Sequence, residues 1–455
     1  MGNLKVNRRS FLKHCSVFVI ALGAVSPFAR SEERKLYFWS SVLSDPRYKQ
    51  QYVPWFREQV KKKLPDFELI IEGYDYDEMQ SKFFAQVISN KPGIPDILEG
   101  VLEQVPIYQT FGMIAPLTAA FNDWKEHQEF IPSFLEGFKF KGELWAMPYS
   151  INARGLVYRM PLLAKYKLDV PKTWDDLLKA SSKITAGEKD VPISGYIIAT
   201  QKGAVRVFQE FISHVFQLSD HVFAFNKVQS KWEVQITLQQ LDRVFRFYHD
   251  LFFTGDPPAI PLNLRGMRGN KNDENYTKGK HAMTPTGSFI FGRRQEGPDQ
   301  RQILENETGI AFLPTPPRGR QKTYLEISPV LLNAFSEHPA EAFEVIKIFT
   351  SAESIVRLQM LGGDISPRRD TDDPPLQRQF LDPLVIDWLK RWKQILPSGA
   401  ILEFVDWLRI REELYDLVEE VVYNQTSHEE AASRLYKILL GEADRFNKTP
   451  SPPYS

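Results

Sequence analysis

Arg34-Lys35-Leu36-Tyr37-Phe38-Trp39-Ser40-Ser41 is a run of β-favouring residues that closes on two small polar ones, and its spacing from the next apolar run decides the fold. Helical periodicity spans Tyr48 to Leu64, and the second apolar run, Glu68-Leu69-Ile70-Ile71-Glu72, comes next. Strand, helix and strand at this spacing predict a right-handed crossover joining parallel strands. Helical periodicity returns from Asp77 to Ser89, and Pro95-Asp96-Ile97-Leu98-Glu99-Gly100 reads as a further strand ending in a loop. Ligands of such sheets sit beyond the carboxyl ends of the strands. Trp39-Ser40-Ser41, Tyr74-Asp75-Tyr76 and Glu99-Gly100 are therefore expected on one rim.

Upstream, Asn7-Arg8-Arg9-Ser10-Phe11-Leu12-Lys13 precedes an apolar stretch from Val17 to Ala24, the order of a twin-arginine export signal. An ordinary basic leader carries similar charges, and either reading exports the chain. Ala29-Arg30-Ser31 supplies the small-x-small pattern of a cleavage site, so residues 1–31 read as the leader and the mature chain as beginning near Glu32. The apolar run is too short for an anchor. Cys15, the only cysteine, lies at the wrong end of that run for lipid modification, so no disulfide or cysteine metal site is expected. The leader holds five basic residues and no acid. Without it the balance of 57 basic and 57 acidic residues becomes 52 and 57, a mildly acidic chain that argues against a nucleic-acid partner. The length that remains favours roughly two or three domains.

The middle of the chain carries a set of landmarks in a fixed order. They are Pro95-Asp96-Ile97, Gly112-Met113-Ile114-Ala115-Pro116-Leu117, Lys141-Gly142-Glu143-Leu144-Trp145-Ala146-Met147-Pro148-Tyr149 and Gly155-Leu156-Val157-Tyr158-Arg159. Pro171-Lys172-Thr173-Trp174-Asp175-Asp176-Leu177, Lys278-Gly279-Lys280-His281-Ala282-Met283 with Gly287-Ser288-Phe289, and Gly309-Ile310-Ala311-Phe312-Leu313-Pro314 continue it, and Pro339-Ala340-Glu341-Ala342-Phe343 through Leu361-Gly362-Gly363 close it. The collinear set resembles the family 1 extracellular solute-binding proteins of the maltose-binding type, over essentially the whole mature chain. The resemblance implies an α/β fold of two lobes, each built from discontinuous chain and joined by hinge crossovers, the class II periplasmic-binding-protein architecture. It places the first lobe at 32–151 with 313–350 and the second at 152–312 with 351–455, the crossovers falling near Tyr149 to Asn152, Gly309 to Pro314, and Phe349-Thr350-Ser351.

Some of these landmarks have local physical readings. Thr173 with Asp176 has the spacing of a capping box at the start of a helix running to Lys183. Gly142 fits the turn of a hairpin between Phe140 and Trp145. The polar stretch Gly266 to Asn275 and the Pro-rich tail after Asn447 read as flexible.

The resemblance also nominates ligand-binding residues. On the first lobe these are Trp39, whose indole could equally be core, then Ser40 and Ser41 in the polar turn, and Glu99, Gly100 and Glu103 at the rim of the third strand. Tyr149 and Asn152 fall at the hinge, Phe289 where a stacking aromatic often stands, and Glu326 and Asp364 complete the set. Tyr324-Leu325-Glu326-Ile327-Ser328 lacks the paired glycines common there in relatives, which implies a smaller or differently shaped solute. The tail from Trp388 to Phe446 reads as helical packing that extends the second lobe.

No P-loop, dinucleotide fingerprint, His-Glu-x-x-His or nucleophile elbow is present, so neither catalysis nor a cofactor is expected. His214 and His221, the only pair at helical repeat spacing, read as surface rather than as metal ligands. Paired carboxylates such as Asp75 with Asp77, or Glu99 with Glu103, keep an exported carbohydrate-active hydrolase as the rival class. The expectation is a monomeric periplasmic receptor that closes on a sugar or polyol and passes it to an ATP-driven import permease. An anionic polyol such as a glycerol phosphate ester is the alternative, with Arg154, Arg268, Arg293 and Arg294 able to supply a basic cleft.

Overall fold

The computed structural model describes residues 34–89, 94–188 and 193–448; the leader read at 1–31 lies outside them. Among the described residues, no helix is long and apolar enough to cross a membrane.

The opening crossover forms as the periodicity predicts. β1 (Arg34–Trp39) buries Leu36 and Phe38. The single helix expected over 48–64 is two, α1 (Pro46–Gln51) and α2 (Val53–Lys63). Asp45 caps the first, accepting from the Arg47 N–H at 2.9 Å. Pro54 offers no N–H and crowds the carbonyl of Gln50, so the chain breaks at Tyr52. β2 (Phe67–Glu72) runs parallel to β1, from Arg34 opposite Phe67 to Trp39 opposite Glu72. After α3 (Tyr76–Ser89), β3 (Ile97–Glu99) pairs in parallel with the other edge of β1.

β4 (Lys139–Phe140) and β5 (Glu143–Leu144) make the hairpin expected at Gly142. Both turn residues are left-handed, with φ of 54° at Lys141 and 77° at Gly142, the second of which glycine adopts without strain. β6 (Met147–Ala153) is buried along its whole length, and β7 (Gly155–Arg159) follows after Arg154 alone. A Cβ at Gly155 would lie 2.9 Å from the Trp392 ring, which is why the chain turns there on a glycine.

α4 (Trp174–Gly187) carries the predicted cap. The Asp176 N–H donates to Thr173 Oγ1 and the Thr173 N–H to Asp176 Oδ2, each at 3.1 Å, and the helix runs past Lys183 to Gly187. α5 (Val205–Phe216), the hairpin β8 (Phe223–Asn226) and β9 (Lys231–Val234), and α6 (Leu238–Phe253) build one side of the second lobe. The stretch expected to be a flexible loop at 266–275 is largely helical, as α7 (Gly269–Thr277). Burial of Asp273 and Tyr276 anchors it, and that tertiary contact outweighs the local polarity.

β10 (Met283–Thr286), β11 (Thr308–Ala311) and β12 (Thr323–Leu332) complete the principal strands. α8 (Pro339–Phe349) packs on α2 and β12, whereas α9 (Ala352–Gly362) packs on α1 and the segment Ser288–Gln295. α10 (Pro383–Lys393) precedes β13 (Gly399–Ala400), and α11 (Leu408–Val422) and α12 (His428–Lys448) form the helical tail.

Two sheets organise the molecule. The larger has the order β13-β12-β3-β1-β2 with β6 also on β12, and the smaller the order β10-β7-β11. The chain passes from the larger to the smaller between β6 and β7, and back between β11 and β12. One short strand of the tail, β13, returns to the larger sheet beside Thr323 and Tyr324.

Candidate functional site

A cavity of about 320 Å³ lies between the two sheets, and its floor is a pair of antiparallel strands. Asn152 of β6 stands opposite Glu326 of β12, and Ser150 opposite Ser328. Side chains two residues apart share a face. These four therefore line the cavity together.

Asp364, just beyond α9, completes the floor. Its Oδ1 accepts from Ser150 Oγ at 3.1 Å and from Asn152 Nδ2 at 2.9 Å. Burial pushes its carboxyl above the ordinary range, while those two hydrogen bonds pull the other way. Asn152 Oδ1 in turn accepts from Ser288 Oγ of the second lobe at 2.7 Å.

The second-lobe wall comes from α5 and α7. Arg206 donates from Nη2 to Asp273 Oδ2 at 2.8 Å and from Nη1 to Oδ1 at 3.3 Å. Arg154, the residue between the two sheets, is 1% exposed and donates to Gln209 and Glu326. Phe289 lies beneath both guanidiniums, 5.4 Å from that of Arg154 and 5.0 Å from that of Arg206. Its ring thus supports two arginines rather than presenting a bare stacking face.

The first-lobe wall differs from the rim expected of it. Ser41, Val42, Asp75 and Val101 face the cavity, while five nominated residues do not. Trp39 is fully buried, its indole donating to Glu72 Oε2 at 2.9 Å and packing on Tyr74. Ser40 is buried and accepts the Leu43 N–H at 2.8 Å. Glu99 is buried and accepts the N–H groups of Ser41 and Val42 at 2.9 and 3.2 Å, so it shapes the loop from behind. Gly100 packs under Leu331. Glu103 is buried beneath the Tyr324 hydroxyl, which donates to it at 2.7 Å; burial pushes its carboxyl up, against Arg411. The strand ends belong to the core, and the residues that face the cavity come one or two positions later, at Ser41 and Val101.

Of the nominated residues, Ser41, Tyr149, Asn152, Phe289, Glu326 and Asp364 line the cavity. Of the four nominated arginines, Arg154, Arg268 and Arg293 line it; Arg294 is buried over Phe291 and faces Asp382 and Glu305. Sequence reasoning missed Asp45, Arg47, Arg206, Gln209 and Asp273. A signal existed for two of them: Arg206, Gln209, Glu210 and Ser213 form a polar stripe at helical spacing on α5, whose other residues are apolar except His214.

Arg268 reaches across the cleft to Asp75, 3.6 Å away. His214 is core rather than surface, pushed down to about 4 by burial. Among the described residues, Asp242, His428 and Glu429 are gathered closely enough to share a metal, but Arg246 lies 3.5 and 4.0 Å from the two acids.

Two α/β lobes joined by strand crossovers, with a polar cavity floored by the crossing strands, define a solute-binding protein. Residues 55–379 match the profile of the bacterial extracellular solute-binding proteins, and the chain belongs to that family. A probable ABC transporter-binding protein of Deinococcus radiodurans is 23% identical over 226 residues, 49% of this chain and 51% of that one, so the chain spans about half the length of this curated relative. Maltose-bound MalE3 of Thermotoga maritima superposes with a TM-score of 0.74 at 20% identity, covering 90% of this chain and 99% of its own. The GacH receptor of Streptomyces glaucescens, solved unliganded and with acarbose, gives 0.73 at 19%, covering 90% and 100%. A solute-binding protein of Agrobacterium radiobacter in complex with ribitol gives 0.72 at 19%, covering 91% and 99%. At these identities the likeness is one of fold.

Proposed function

We propose that the protein is an exported receptor that captures a neutral sugar or polyol between its lobes and delivers it to the permease of an ABC importer. The observation that carries this reading is the charge pairing in the cavity. Arg47 pairs with Asp45, Arg154 with Glu326, Arg206 with Asp273 and Arg268 with Asp75, all lining residues, and Arg293 pairs with Glu296. Asp364 remains as an acceptor held by neutral groups. Such a wall offers many charge-assisted hydrogen bonds and no surplus positive charge, which suits hydroxyls better than a phosphate ester. The relatives with maltose, acarbose and ribitol support the same class of solute.

On this reading Ser41, Tyr149, Asn152, Glu326 and Asp364 contact the solute, Phe289 props the two arginines, and nothing is converted. The lobes are those set by the crossovers, 32–151 with 313–350 and 152–312 with 351–455. Closure about β6, β7, β11 and β12 is the signal, because only a closed form lets Ser41 and Asp364 touch one small molecule together with Arg206. Export runs by the twin-arginine route.

A thermal-shift screen with sugars, polyols, phosphate esters and amino acids tests the class, and small-angle scattering with the best binder tests closure. Stabilisation by neutral polyols with a smaller radius of gyration is expected. Stabilisation only by phosphate esters would overturn the neutral reading, and turnover of an oligosaccharide would replace the receptor by a hydrolase.

A further inference from the structure

The helical tail, expected to pack on the second lobe, holds both lobes. α11 packs on α5, α6 and α12, all of the second lobe. Between Gly399 and Arg411 the chain grips the two lobes in turn. β13 pairs with Thr323 and Tyr324 of the larger sheet, Ile401 lies against Gly137, and the Phe404 ring stacks on that of Phe140 in β4 at 4.9 Å. Those three contacts are with the first lobe. Glu403 turns the other way: its Oε1 accepts from the N–H of Val222 and faces Nδ1 of His221, each at 3.2 Å. Trp407 is fully buried, its ring beside Phe208 of α5 and Phe223 of β8.

Glu403 and Phe404 are consecutive, so their Cα atoms stand about 3.8 Å apart. One is tied to each lobe. A stretch of chain fixed to both bodies stays put when they rotate, so the hinge axis passes close to this segment as well as through the crossing strands. Arg411 lies further along, away from that axis. It is 5% exposed and donates to Gln80 Oε1 of α3, an oxygen that Gln104 Nε2 also approaches at 3.4 Å. It also offsets the charge of buried Glu103. Gln80, Glu103 and Arg411 all stand outside the set that lines the main cavity.

We infer that residues 399–407 are a pivot strap and Arg411 a catch, so that the tail holds the cleft partly closed before any solute arrives and sets affinity from outside the binding cavity. The inference rests on the receptor reading of the main cavity. Opening carries α11 away from α3, so it breaks the charge-assisted hydrogen bond to Gln80 and parts Arg411 from Glu103. A solute that binds only the closed form has its affinity scaled by the fraction of molecules already closed, and the catch raises that fraction. Arg411 is thus a positioning residue that acts through closure.

Small-angle scattering of the solute-free mature protein tests the catch. Gln80→Leu removes the acceptor and leaves Arg411 facing Glu103, whereas Arg411→Ala removes the donor. Both free variants are expected to have a larger radius of gyration than the unaltered protein, and Arg411→Lys, which keeps the charge and one donor, to restore most of the compaction. Loaded with whichever of maltose, xylose and ribitol stabilises the protein most, all are expected to converge on one radius. Affinity for that solute is expected to fall about tenfold in Gln80→Leu and in Arg411→Ala, through faster dissociation. Equal free radii in the unaltered protein and both variants overturn the catch. So does a fall in melting temperature with radius and affinity unchanged, which is the mark of packing alone. If none of the three solutes nor any other of the thermal-shift screen binds, the receptor reading fails, while the radii of the free proteins still decide for or against the catch.

Discussion

Asn152 and Asp364 share a 2.9 Å hydrogen bond from the amide Nδ2 to the carboxylate Oδ1, across 212 residues of sequence. The other end of the same amide accepts from Ser288. One side chain thus joins the crossing strand, the segment after α9 and the second lobe. Asn152→Leu strips both of these contacts and the 3.1 Å hydrogen bond from Nδ2 to Ser150 Oγ, and leaves buried polar atoms unpaired, at about 1–3 kcal/mol for each. Urea denaturation is expected to show a loss in that range, with weaker capture of the solute. An unchanged midpoint and affinity would remove Asn152 from the site.

Arg154 and Glu326 form a largely buried ion pair of the cavity, with side chains 1% and 14% exposed. Glu326→Gln leaves the guanidinium without its counter-charge, and a loss of about 3–5 kcal/mol is expected. Arg154→Met combined with Glu326→Leu is expected to recover most of that loss while abolishing binding. If the single substitution costs under about 1 kcal/mol, the pair does not hold the crossing together.

Glu210 on α5 gives a pH dependence. Burial pushes its carboxyl up to about 7, with Arg206 opposing, whereas a glutamate in the unfolded chain titrates near about 4.3. The native state therefore binds the proton more tightly than the unfolded chain. Its contribution favours folding at low pH and is lost as pH rises from about 4.3 through about 7. Glu210→Gln is expected to flatten the fall in melting temperature between pH 5 and pH 8. A profile parallel to that of the unaltered protein would show that Glu210 ionises normally.

Arg268 and Asp75 meet at the mouth of the cleft with side chains 35% and 42% exposed. Exposed pairs are worth about 0–1 kcal/mol. Arg268→Ala is expected to weaken solute affinity by less than about fivefold, with an effect that shrinks at high salt. Scattering of the loaded variant checks that closure persists; a loaded form that stays open would make this pair the latch rather than an accessory.

The leader offers a test of route. Arg8→Lys together with Arg9→Lys is expected to stop export, because the twin-arginine pathway reads guanidinium groups and a general leader needs only positive charge. Immunoblots of periplasmic fractions report the outcome, and undiminished accumulation would assign the general route.

The sequence alone determined what short-range forces decide. The strand character of β1 and β2, the Thr173 cap and the Gly142 turn follow from apolar patterning, one hydroxyl and two left-handed residues, each acting within a few positions of the chain. The crossovers were expected from the resemblance rather than from local pattern; the first two expected places fall at or beside the passages from β6 to β7 and from β11 to β12, and Phe349-Thr350-Ser351 joins α8 to α9. Only the tertiary structure decided which side chains face the cavity. Trp39 and Ser41 are two residues apart, yet one is core and the other rim, because the ladder to β2 ends between them. Arg154 and Glu326 are 172 positions apart, and Arg206 and Asp273 are 67 apart. Nothing in the local pattern selects such partners; they are chosen when two sheets close around a shared floor and every buried charge must find its counter-charge there.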